Sequence, residues 1–354
     1  MILVPVLVLI GLGLVIVYSA SSHLAEHRLA DSSFYLKRQA LFCAAGLLLM
    51  VLAKKIPCTL YSKMVYPLLV LSFCLLGILF VPGIGHKVGG ASRWIRMSGF
   101  SFQPSEFVKF TLAVYMAYSM SKKASDMGRL RTGLAHHLVV AGLFIVLILL
   151  EPDLGTSLII GGWLMIMLFV GGVRLWQIGS VLAISSVVVW QLIARADYRM
   201  HRWLAFLNPW DDPQGIGFQI IHSFLAFGSG GLFGAGPGAG KQKLFYLPEP
   251  HTDFALSVAG EELGFVGVAF IVLLFGLLIM RGIKVALNAR DLYSSYLALG
   301  IICLIGLQAI VNMGVVLGLL PTKGLTLPFI SYGGSALILN LTGIGVLLNI
   351  SSKT

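Results

Sequence analysis

The stretch HTDFALSVAGEELGFVGVAFIVLLFGLLIM, residues 251–280, joins several carboxylates to a long apolar segment. Asp253, Glu261 and Glu262 precede a run from residue 263 to residue 280 that contains no charged side chain. A helix needs about 20 mostly apolar residues to cross a bilayer, so this run predicts a membrane-spanning helix. Charged groups are costly beside hydrocarbon, so the acidic residues in front of the run are candidate functional groups.

Apolar runs of this kind recur along the whole chain. Of its 354 residues, 58% are hydrophobic and only 11% are charged, which is not the composition of a soluble globular domain. Strand-like alternation is absent, so the pattern does not favour a membrane barrel. We therefore predict an all-α polytopic membrane protein with a single integral membrane domain, residues 1–354. Its ten predicted spans are 1–20, 38–53, 64–82, 104–120, 134–150, 155–172, 175–194, 264–281, 295–319 and 328–349.

The first apolar run has two interpretations, a retained helix or a cleaved signal peptide. No basic residue precedes it, and it is longer than the apolar region of a usual signal peptide. These features favour a retained helix.

The distribution of Lys and Arg predicts the orientation in the membrane. With a cytoplasmic N-terminus, the inner segments carry twelve basic residues and only two acids, Asp126 and Asp291. The outer segments also carry twelve basic residues, but these are spread over a longer stretch and accompanied by eleven acids. The positive-inside rule then places both termini in the cytoplasm and a large loop, 195–263, between spans seven and eight on the outer face.

Other classes of site are disfavoured by spacing and charge. The glycine-rich run GSGGLFGAGPGAGK, residues 228–241, fails the phosphate-loop pattern at Ala235 and Gln242. The four cysteines form no CxxC pair and none lies in the outer loop, which argues against a disulfide framework or a zinc site. The net charge of +11 fits the topology and anionic lipid surfaces, and no soluble basic domain suggests nucleic acid.

The segment GGASRWIRMSGFSFQPSEFVKF, residues 89–110, leads into the fourth span with two charges. Pro104 suits the first position of a helix, and Glu106 then lies in its first turn with Lys109 on the same face. The pair is either a capping acid with a structural ion pair or part of a polar cavity in the membrane. The depth of Lys109 in an apolar run favours the cavity. Trp94, by itself, is typical of an interfacial anchor.

The sequence EPDLGTS, residues 151–157, joins two spans by a short turn. Asp153 follows Pro152 and is a natural N-cap for the sixth span. The alternative is a functional role, since Glu151 and Asp153 hold negative charge at the outer surface, within possible reach of Lys109.

Asp253 is the acidic residue that points most clearly to a reaction. If a helix starts near residue 253, Asp253 and Gly260 share one face while Glu261 is turned about 80° away. Glu261 and Glu262 are then acids at the rim of an outer pocket, and Asp253 faces into it. Partial burial would raise its pKa towards the working pH, as a general base requires. The alternative is a solvated helix N-cap.

The segment LPTKGLTLPFISYGGSA, residues 320–336, precedes the tenth span with small and polar residues. Ser331, Gly333 and Gly334 are each more typical of close helix contact than of a binding site. Lys323 at the outer mouth is a candidate partner for an anionic group.

Together these motifs resemble the SEDS family, named for shape, elongation, division and sporulation. The matching stretches are GASRWI with QPSEFVKF, EPDLGTS, GFQIIHSFLAFGSGGLFG, QKLFYLPEPHTDFALSVAGEELGF and PTKGLTLPFISYGGS, in this order along residues 89–350. The motif KGLTLPFISYGGS is more similar to the division branch, FtsW, than to the elongation branch, RodA. Pro250 departs from the family pattern, which has alanine there.

The resemblance implies a peptidoglycan glycosyltransferase that acts on lipid II and releases undecaprenyl pyrophosphate. Asp253 matches the family's essential aspartate and is the expected catalytic base, taking the proton of the acceptor GlcNAc 4-hydroxyl in a single inverting displacement. Positions expected to bind substrate are Trp94, Arg93, Glu106, Lys109, Asp153, Lys243, Lys323 and Ser331. Outer basic residues, including Arg202, would offset the charge of the leaving group, and a divalent cation, Mg²⁺ or Mn²⁺, is a further candidate for that task.

The family also implies a location and partners. These are the bacterial cytoplasmic (inner) membrane at the division septum, a class B penicillin-binding protein that acts as transpeptidase, and other division proteins. Two other functions stay open, a lipid II flippase or transporter and a noncatalytic scaffold for the transpeptidase. The outer-face concentration of acids and the absence of a visible repeat favour catalysis over transport.

Overall fold

A computed structural model describes residues 2–82, 85–88, 91–97, 100–244, 250–322 and 324–353 of the chain. Ten helices of this part coincide with the ten predicted spans, and they confirm an integral membrane protein. They are α1 (Leu3–Leu29), α2 (Phe34–Lys55), α4 (Val65–Ile78), α5 (Pro104–Lys122), α6 (His136–Leu150), α7 (Leu154–Val170), α8 (Leu175–Ala194), α11 (Ala255–Leu287), α12 (Leu292–Val316) and α13 (Gly334–Ser351). Three further helices, α3 (Cys58–Lys63), α9 (Asp197–Leu207) and α10 (Phe218–Gly230), lie between them.

Seven of the ten helices are long and apolar enough to cross a membrane alone, with α6 counted together with the π-helical turn Leu130–Ala135 that precedes it. Two others, α4 and α7, are apolar but shorter. The tenth, α5, begins at Pro104 as predicted and carries both Glu106 and Lys109. These last three helices depend on neighbours to cover their short or polar segments.

Small residues let the helices approach closely at the centre of the bundle. A Cβ atom on Gly334 would lie 2.6 Å from the ring of Phe42, and one on Gly345 would lie 2.3 Å from the carbonyl oxygen of Met50. Both contacts join α13 to α2, so the prediction of close helix contact at Gly334 is confirmed. The buried indole of Trp163 on α7 donates a 2.8 Å hydrogen bond to the carbonyl oxygen of Gly300 on α12.

Helix α11 is interrupted at Gly264, which has a φ of 67°. The chain leaving α10 lies against this break, and its backbone N–H groups at Ala235 and Gly236 donate to the carbonyl oxygens of Glu261 and Glu262. In return, the N–H of Phe265 donates to the carbonyl oxygen of residue 231. The glycine-rich run therefore stabilises the fold, because it forms hydrogen bonds with the backbone groups that lose their helical partners at the break in α11.

The segment between α4 and α5 contains one feature that the sequence did not predict. Strands β1 (Gly85–Val88), β2 (Ala91–Met97) and β3 (Phe100–Phe102) form a small antiparallel sheet in the order β1-β2-β3. The N–H of Gln103, just after β3, donates to the hydroxyl of Ser335 at 3.2 Å, which ties the sheet to the start of α13. Strands β1 and β3 have only four and three residues, and the seven residues of β2, ASRWIRM, do not alternate between apolar and polar side chains.

Candidate functional site

Asp253 lies in the turn that precedes α11, not within its first helical turn. Its side chain is partly exposed and lines a cavity of about 180 Å³. The walls come from helices α9, α10 and α12, the turn before α11 and residues 322, 324 and 325. The lining residues are Arg202, Gln219, Asp253, Phe254, Asn312, Val315, Thr322, Gly324 and Leu325. Among the lining residues that the structure describes, the cavity thus combines one carboxylate with a guanidinium group and three neutral polar side chains.

Asn312 on α12 holds the turn that carries Asp253 through a hydrogen bond. Asn312 is buried, and its Nδ2 atom donates to the backbone oxygen of Asp253 at 3.0 Å and to that of Leu325 at 2.5 Å. Gly324 lies close by, since a Cβ added to it would be 3.5 Å from Oδ2 of Asp253. The 324–327 segment and the Asp253 turn therefore form adjoining walls of one cavity.

Arg202 is the cation that the structure places in this cavity among the residues it describes. It lies on α9, a helix that also carries Arg199 and exposes Tyr198, Leu204 and Leu207. A helix with basic and apolar faces suits the bilayer interface, where anionic lipid groups lie. Arg202 is thus positioned to meet an anion in the cavity that contains Asp253.

Glu106 and Lys109 form a buried ion pair on α5, with 2.7 Å between Oε1 and Nζ. Nζ of Lys109 also donates to Oε1 of Gln308 at 2.9 Å, and Nε2 of Gln308 donates to the backbone oxygen of Thr326 at 3.0 Å. A small cavity of about 30 Å³ adjoins the pair, and Asn340 is among its lining residues. The predicted ion pair is therefore present beside a small cavity with a mostly apolar lining, and this cavity is distinct from the one at Asp253.

Asp153 is the N-cap of α7, as predicted. Its carboxylate accepts the N–H of Thr156 at 3.1 Å and the hydroxyl of Thr156 at 2.8 Å. The cation beside it is Arg93, at 3.8 Å from Oδ2, and Arg93 also donates to the carbonyl oxygen of Pro152. Lys109 instead pairs with Glu106. The expected approach of Lys109 to Asp153 is replaced by a contact from the small sheet.

Glu151 is buried beside this pair rather than exposed at the outer surface. Its pKa is raised from 4.5 to about 8, mainly by burial and also by the neighbouring Asp153 carboxylate, while Arg93 opposes the change. A carboxyl in such surroundings holds its proton near neutral pH.

Trp94 is next to Arg93 in β2, half-buried and paired with residue 86 of β1, and does not line the Asp253 cavity.

Glu261 and Glu262 are buried, which corrects their prediction as rim acids. The carboxylate of Glu261 accepts the backbone N–H groups of Lys241 and Gln242, at 2.7 and 3.2 Å. The carboxylate of Glu262 accepts from Nζ of Lys243 at 2.6 Å and from the hydroxyl of Ser19 at 2.5 Å. These acids hold the end of the glycine-rich run and the residues just after it, because their partners lie at positions 241–243 or on α1.

Lys243 and Ser331 are not lining residues of the Asp253 cavity. The ammonium group of Lys243 is buried and also donates to Ser19 and to the carbonyl oxygen of residue 238. The hydroxyl of Ser331 accepts the N–H of Leu327, and its backbone oxygen accepts from Gln39. The structure gives both side chains contacts that stabilise the fold, and Lys323 lies outside the described residues.

The sequence reasoning missed three polar residues near the site. Gln219 lies one residue into α10, while Gln308 and Asn312 lie one turn apart on α12. The signal for the last two was available, since two amides four residues apart in an apolar span share a face. No cluster of three or more His, Cys, Asp or Glu side chains suited to a metal occurs in the described ranges.

Comparison with known sequences supports one family throughout. The family model FTSW_RODA_SPOVE, described as "Cell cycle protein", matches residues 1–354. A relative from Geobacter metallireducens, named "Probable peptidoglycan glycosyltransferase FtsW", is 48% identical over 341 residues, which cover 96% of this chain and 91% of the relative. "Stage V sporulation protein E" from Bacillus subtilis is 43% identical over 347 residues, covering 98% of this chain and 94% of that protein.

Solved structures share the same architecture. One, described as "Structural coordination of polymerization and crosslinking by a peptidoglycan synthase complex", aligns with a TM-score of 0.82 at 31% identity. The alignment covers 99% of this chain and 97% of that chain. The Rod shape determining protein RodA from Thermus thermophilus aligns with a TM-score of 0.73 at 29% identity, covering 99% and 96%.

Proposed function

The chain belongs to the FtsW, RodA and SpoVE family of cell cycle proteins, and we propose that it is a peptidoglycan glycosyltransferase of the bacterial cytoplasmic membrane. It transfers lipid-linked glycan from undecaprenyl pyrophosphate to the GlcNAc 4-hydroxyl of lipid II during cell division. The observation that carries this proposal is a partly exposed carboxylate, Asp253, in a polar cavity that also holds Arg202. The names of the relatives support the same class of enzyme.

Asp253 acts as the general base of this reaction. Its carboxylate accepts the proton of the acceptor 4-hydroxyl as that oxygen bonds to the anomeric carbon of the donor. The bond from that carbon to the pyrophosphate oxygen breaks, undecaprenyl pyrophosphate leaves with the electron pair, and the configuration inverts. A single carboxylate is sufficient, because the pyrophosphate leaves without protonation by an acid, unlike the sugar alkoxide in glycoside hydrolysis.

Arg202 stabilises the negative charge of the leaving group. A fixed cation aimed at developing charge lowers the barrier most where water is excluded. The cavity is smaller than the pockets of about 300–1,000 Å³ that enclose whole ligands. It therefore holds the reacting hydroxyl and the pyrophosphate, while the prenyl chain stays in the bilayer and most of the sugars stay outside.

A divalent cation, Mg²⁺ or Mn²⁺, fits this site only as a partner of the substrate. Asp253 is the single carboxylate among the described lining residues, and Mg²⁺ in proteins is commonly held by one or two carboxylates together with substrate phosphates and water. Such an ion would supply positive charge for the pyrophosphate.

Of the other residues expected to bind substrate, Arg93, Trp94 and Asp153 lie together at the small sheet and are assigned to more distant parts of the headgroup.

The orientation and partners follow from the same assignment. Both termini face the cytoplasm, the Asp253 cavity opens on the outer side at the septum, and a class B penicillin-binding protein cross-links the glycan that this chain makes. Other division proteins recruit the pair. The assembly of polymerising and crosslinking activities in the synthase complex with a similar fold supports this partnership.

Polymerisation of lipid II by the purified protein in detergent micelles tests the function. Micelles have no sidedness, so polymer formation requires catalysis and not transport. The assay is run with and without a matching penicillin-binding protein, and with Mg²⁺, Mn²⁺ or a chelator. Glycan polymer is expected from the wild type; its absence in every condition would favour a flippase or a scaffold and reject the transferase.

A further inference from the structure

We propose that Asn312 is a positioning residue, which, with Gln308 one helical turn away, fixes the Asp253 turn and the facing wall of the cavity. The inference rests on the proposed function, because it assigns a task within the same reaction. It concerns how the base is held, because the backbone hydrogen bonds of Asn312 and Gln308 keep the Asp253 turn and the cavity wall in place.

The two amides bind consecutive carbonyl oxygens of one segment. Gln308 donates to the backbone oxygen of Thr326 at 3.0 Å, and Asn312 donates to that of Leu325 at 2.5 Å. Gln308 and Asn312 are 3% and 2% exposed, so both donors are buried side chains. Hydrogen bonds inside a protein are harder to replace than those at its surface.

Asn312 also forms a hydrogen bond with the turn that carries Asp253. The second hydrogen of its Nδ2 atom is donated to the backbone oxygen of Asp253 at 3.0 Å. One primary amide therefore connects the turn before α11 with the 324–327 segment. Without it, two backbone carbonyls would be buried with no donor from α12.

The 324–327 segment, held by these hydrogen bonds, forms the cavity wall beside the Asp253 carboxylate. Gly324 is so close to Asp253 that an added Cβ would lie 3.5 Å from Oδ2. Movement of the 324–327 segment would therefore change the space available to the carboxylate and to the hydroxyl that it deprotonates. The other end of this segment is anchored by the hydrogen bond from Leu327 to Ser331.

The hydrogen bonds of Gln308 and Asn312, together called the clamp, also connect the Asp253 turn to the Glu106–Lys109 ion pair on α5. Oε1 of Gln308 accepts from Lys109 at 2.9 Å, and Lys109 is paired with Glu106. This orients the Gln308 amide so that its nitrogen faces Thr326. Glu106 and Lys109 thereby affect the reaction through Gln308 and the 324–327 segment.

The matched control is Asn349 on α13. It is also a buried Asn whose Nδ2 donates to a backbone carbonyl, that of Lys54, but this contact joins α13 to the end of α2. The variants Asn312→Leu and Asn349→Leu each remove one such amide. Asn312→Gln retains a donor on a longer side chain.

Steady-state polymerisation of lipid II is measured for wild type, these three variants and Asp253→Asn, together with the Tm of each. Asn312→Leu is expected to lower kcat at least about tenfold with KM within about twofold, because small misplacement of a reacting group has large effects. Asn349→Leu is expected to lose comparable Tm with kcat within about twofold, and Asn312→Gln to recover part of kcat.

Two results overturn the clamp while leaving the proposed function intact. They are a kcat of Asn312→Leu within about twofold of wild type, or equal losses of kcat in Asn312→Leu and Asn349→Leu at equal Tm, provided that wild type makes polymer. No polymer from wild type overturns both. If Asn312→Leu is not recovered folded, Gln308→Met, which removes the donor to Thr326, is compared with Asn349→Leu in its place by the same criteria.

Discussion

The ammonium group of Lys243 lies 2.6 Å from the carboxylate of Glu262, and both side chains are buried. The pair joins the residues that follow the glycine-rich run to α11 just before the break at Gly264, and Ser19 of α1 hydrogen-bonds to both partners. Three segments far apart in sequence thus meet at one ion pair. Because the pair is enclosed, its integrity matters for stability more than that of an exposed pair would.

Breaking this pair should destabilise the protein. Lys243→Met leaves the Glu262 carboxylate buried without its cation, a change that typically costs about 3–5 kcal/mol. Ser19→Ala, which removes one hydroxyl and leaves the charges paired, should cost only about 1 kcal/mol. Thermal unfolding in detergent measures both, and a Tm for Lys243→Met equal to that of Ser19→Ala would contradict the burial of this pair.

The break in α11 makes Gly264 hard to replace. Its φ of 67° disfavours any side chain, and an added Cβ would lie 2.3 Å from the backbone nitrogen of Gly234. Gly264→Ala should lower stability by at least about 1–3 kcal/mol. Gly276→Ala is the control on the same helix, since nothing lies within 4 Å of its added Cβ and alanine favours a helix. Equal Tm values for the two variants would argue against the break.

Glu151 should make stability depend on pH. Its pKa is raised from 4.5 to about 8 by burial, so between these values the folded state binds a proton that the unfolded state has lost. Stability therefore falls as pH rises from about 4.5 to 8, by on the order of 1 kcal/mol per pH unit.

Glu151→Gln should remove most of this slope, because the amide cannot ionise. Glu26→Gln, at an exposed position on α1, should leave the slope unchanged. The measurement is Tm across this pH range in one buffer system. A wild-type Tm that rises with pH while Glu151→Gln stays flat would show that the sign is wrong.

Arg202 should affect the reaction through the leaving group. Arg202→Gln keeps a polar side chain in the cavity but removes the charge beside the pyrophosphate, so kcat/KM for lipid II should fall by about 10²-fold or more, as for loss of one charge-stabilising donor. Arg199→Gln is the control, because Arg199 on the same helix is held by the backbone oxygen of Leu192. Equal activity of both variants would remove Arg202 from the mechanism.

The sequence predicted the ten spans because each apolar run directly reflects contact with lipid or with other helices. It also predicted the N-cap at Asp153 and the Glu106–Lys109 pair, since both depend on residues three positions apart. The partners of Lys243 and Glu262 could not be predicted, because Ser19 is separated from Glu262 by 243 positions along the chain. Sequence spacing carries no signal for a contact of that kind.

The same reason explains the errors in the candidate site. Glu261 and Glu262 look like rim acids because they adjoin an apolar run, but the break at Gly264 buries them against the glycine-rich segment. That break depends on backbone hydrogen bonds from residues about thirty positions earlier. Asn312 was missed although Gln308 lies four residues before it, because two amides on one face of a span indicate polarity without identifying their partners.

The most direct measurement of the central claim compares wild type, Asp253→Asn and Asp197→Asn in lipid II polymerisation. Asp253→Asn keeps the shape of the side chain and removes its ability to accept a proton, whereas Asp197 is an exposed acid on α9. Polymer from wild type and Asp197→Asn, none from Asp253→Asn, and equal Tm for all three is the predicted result. Glycan polymer from folded Asp253→Asn at the wild-type rate would contradict it.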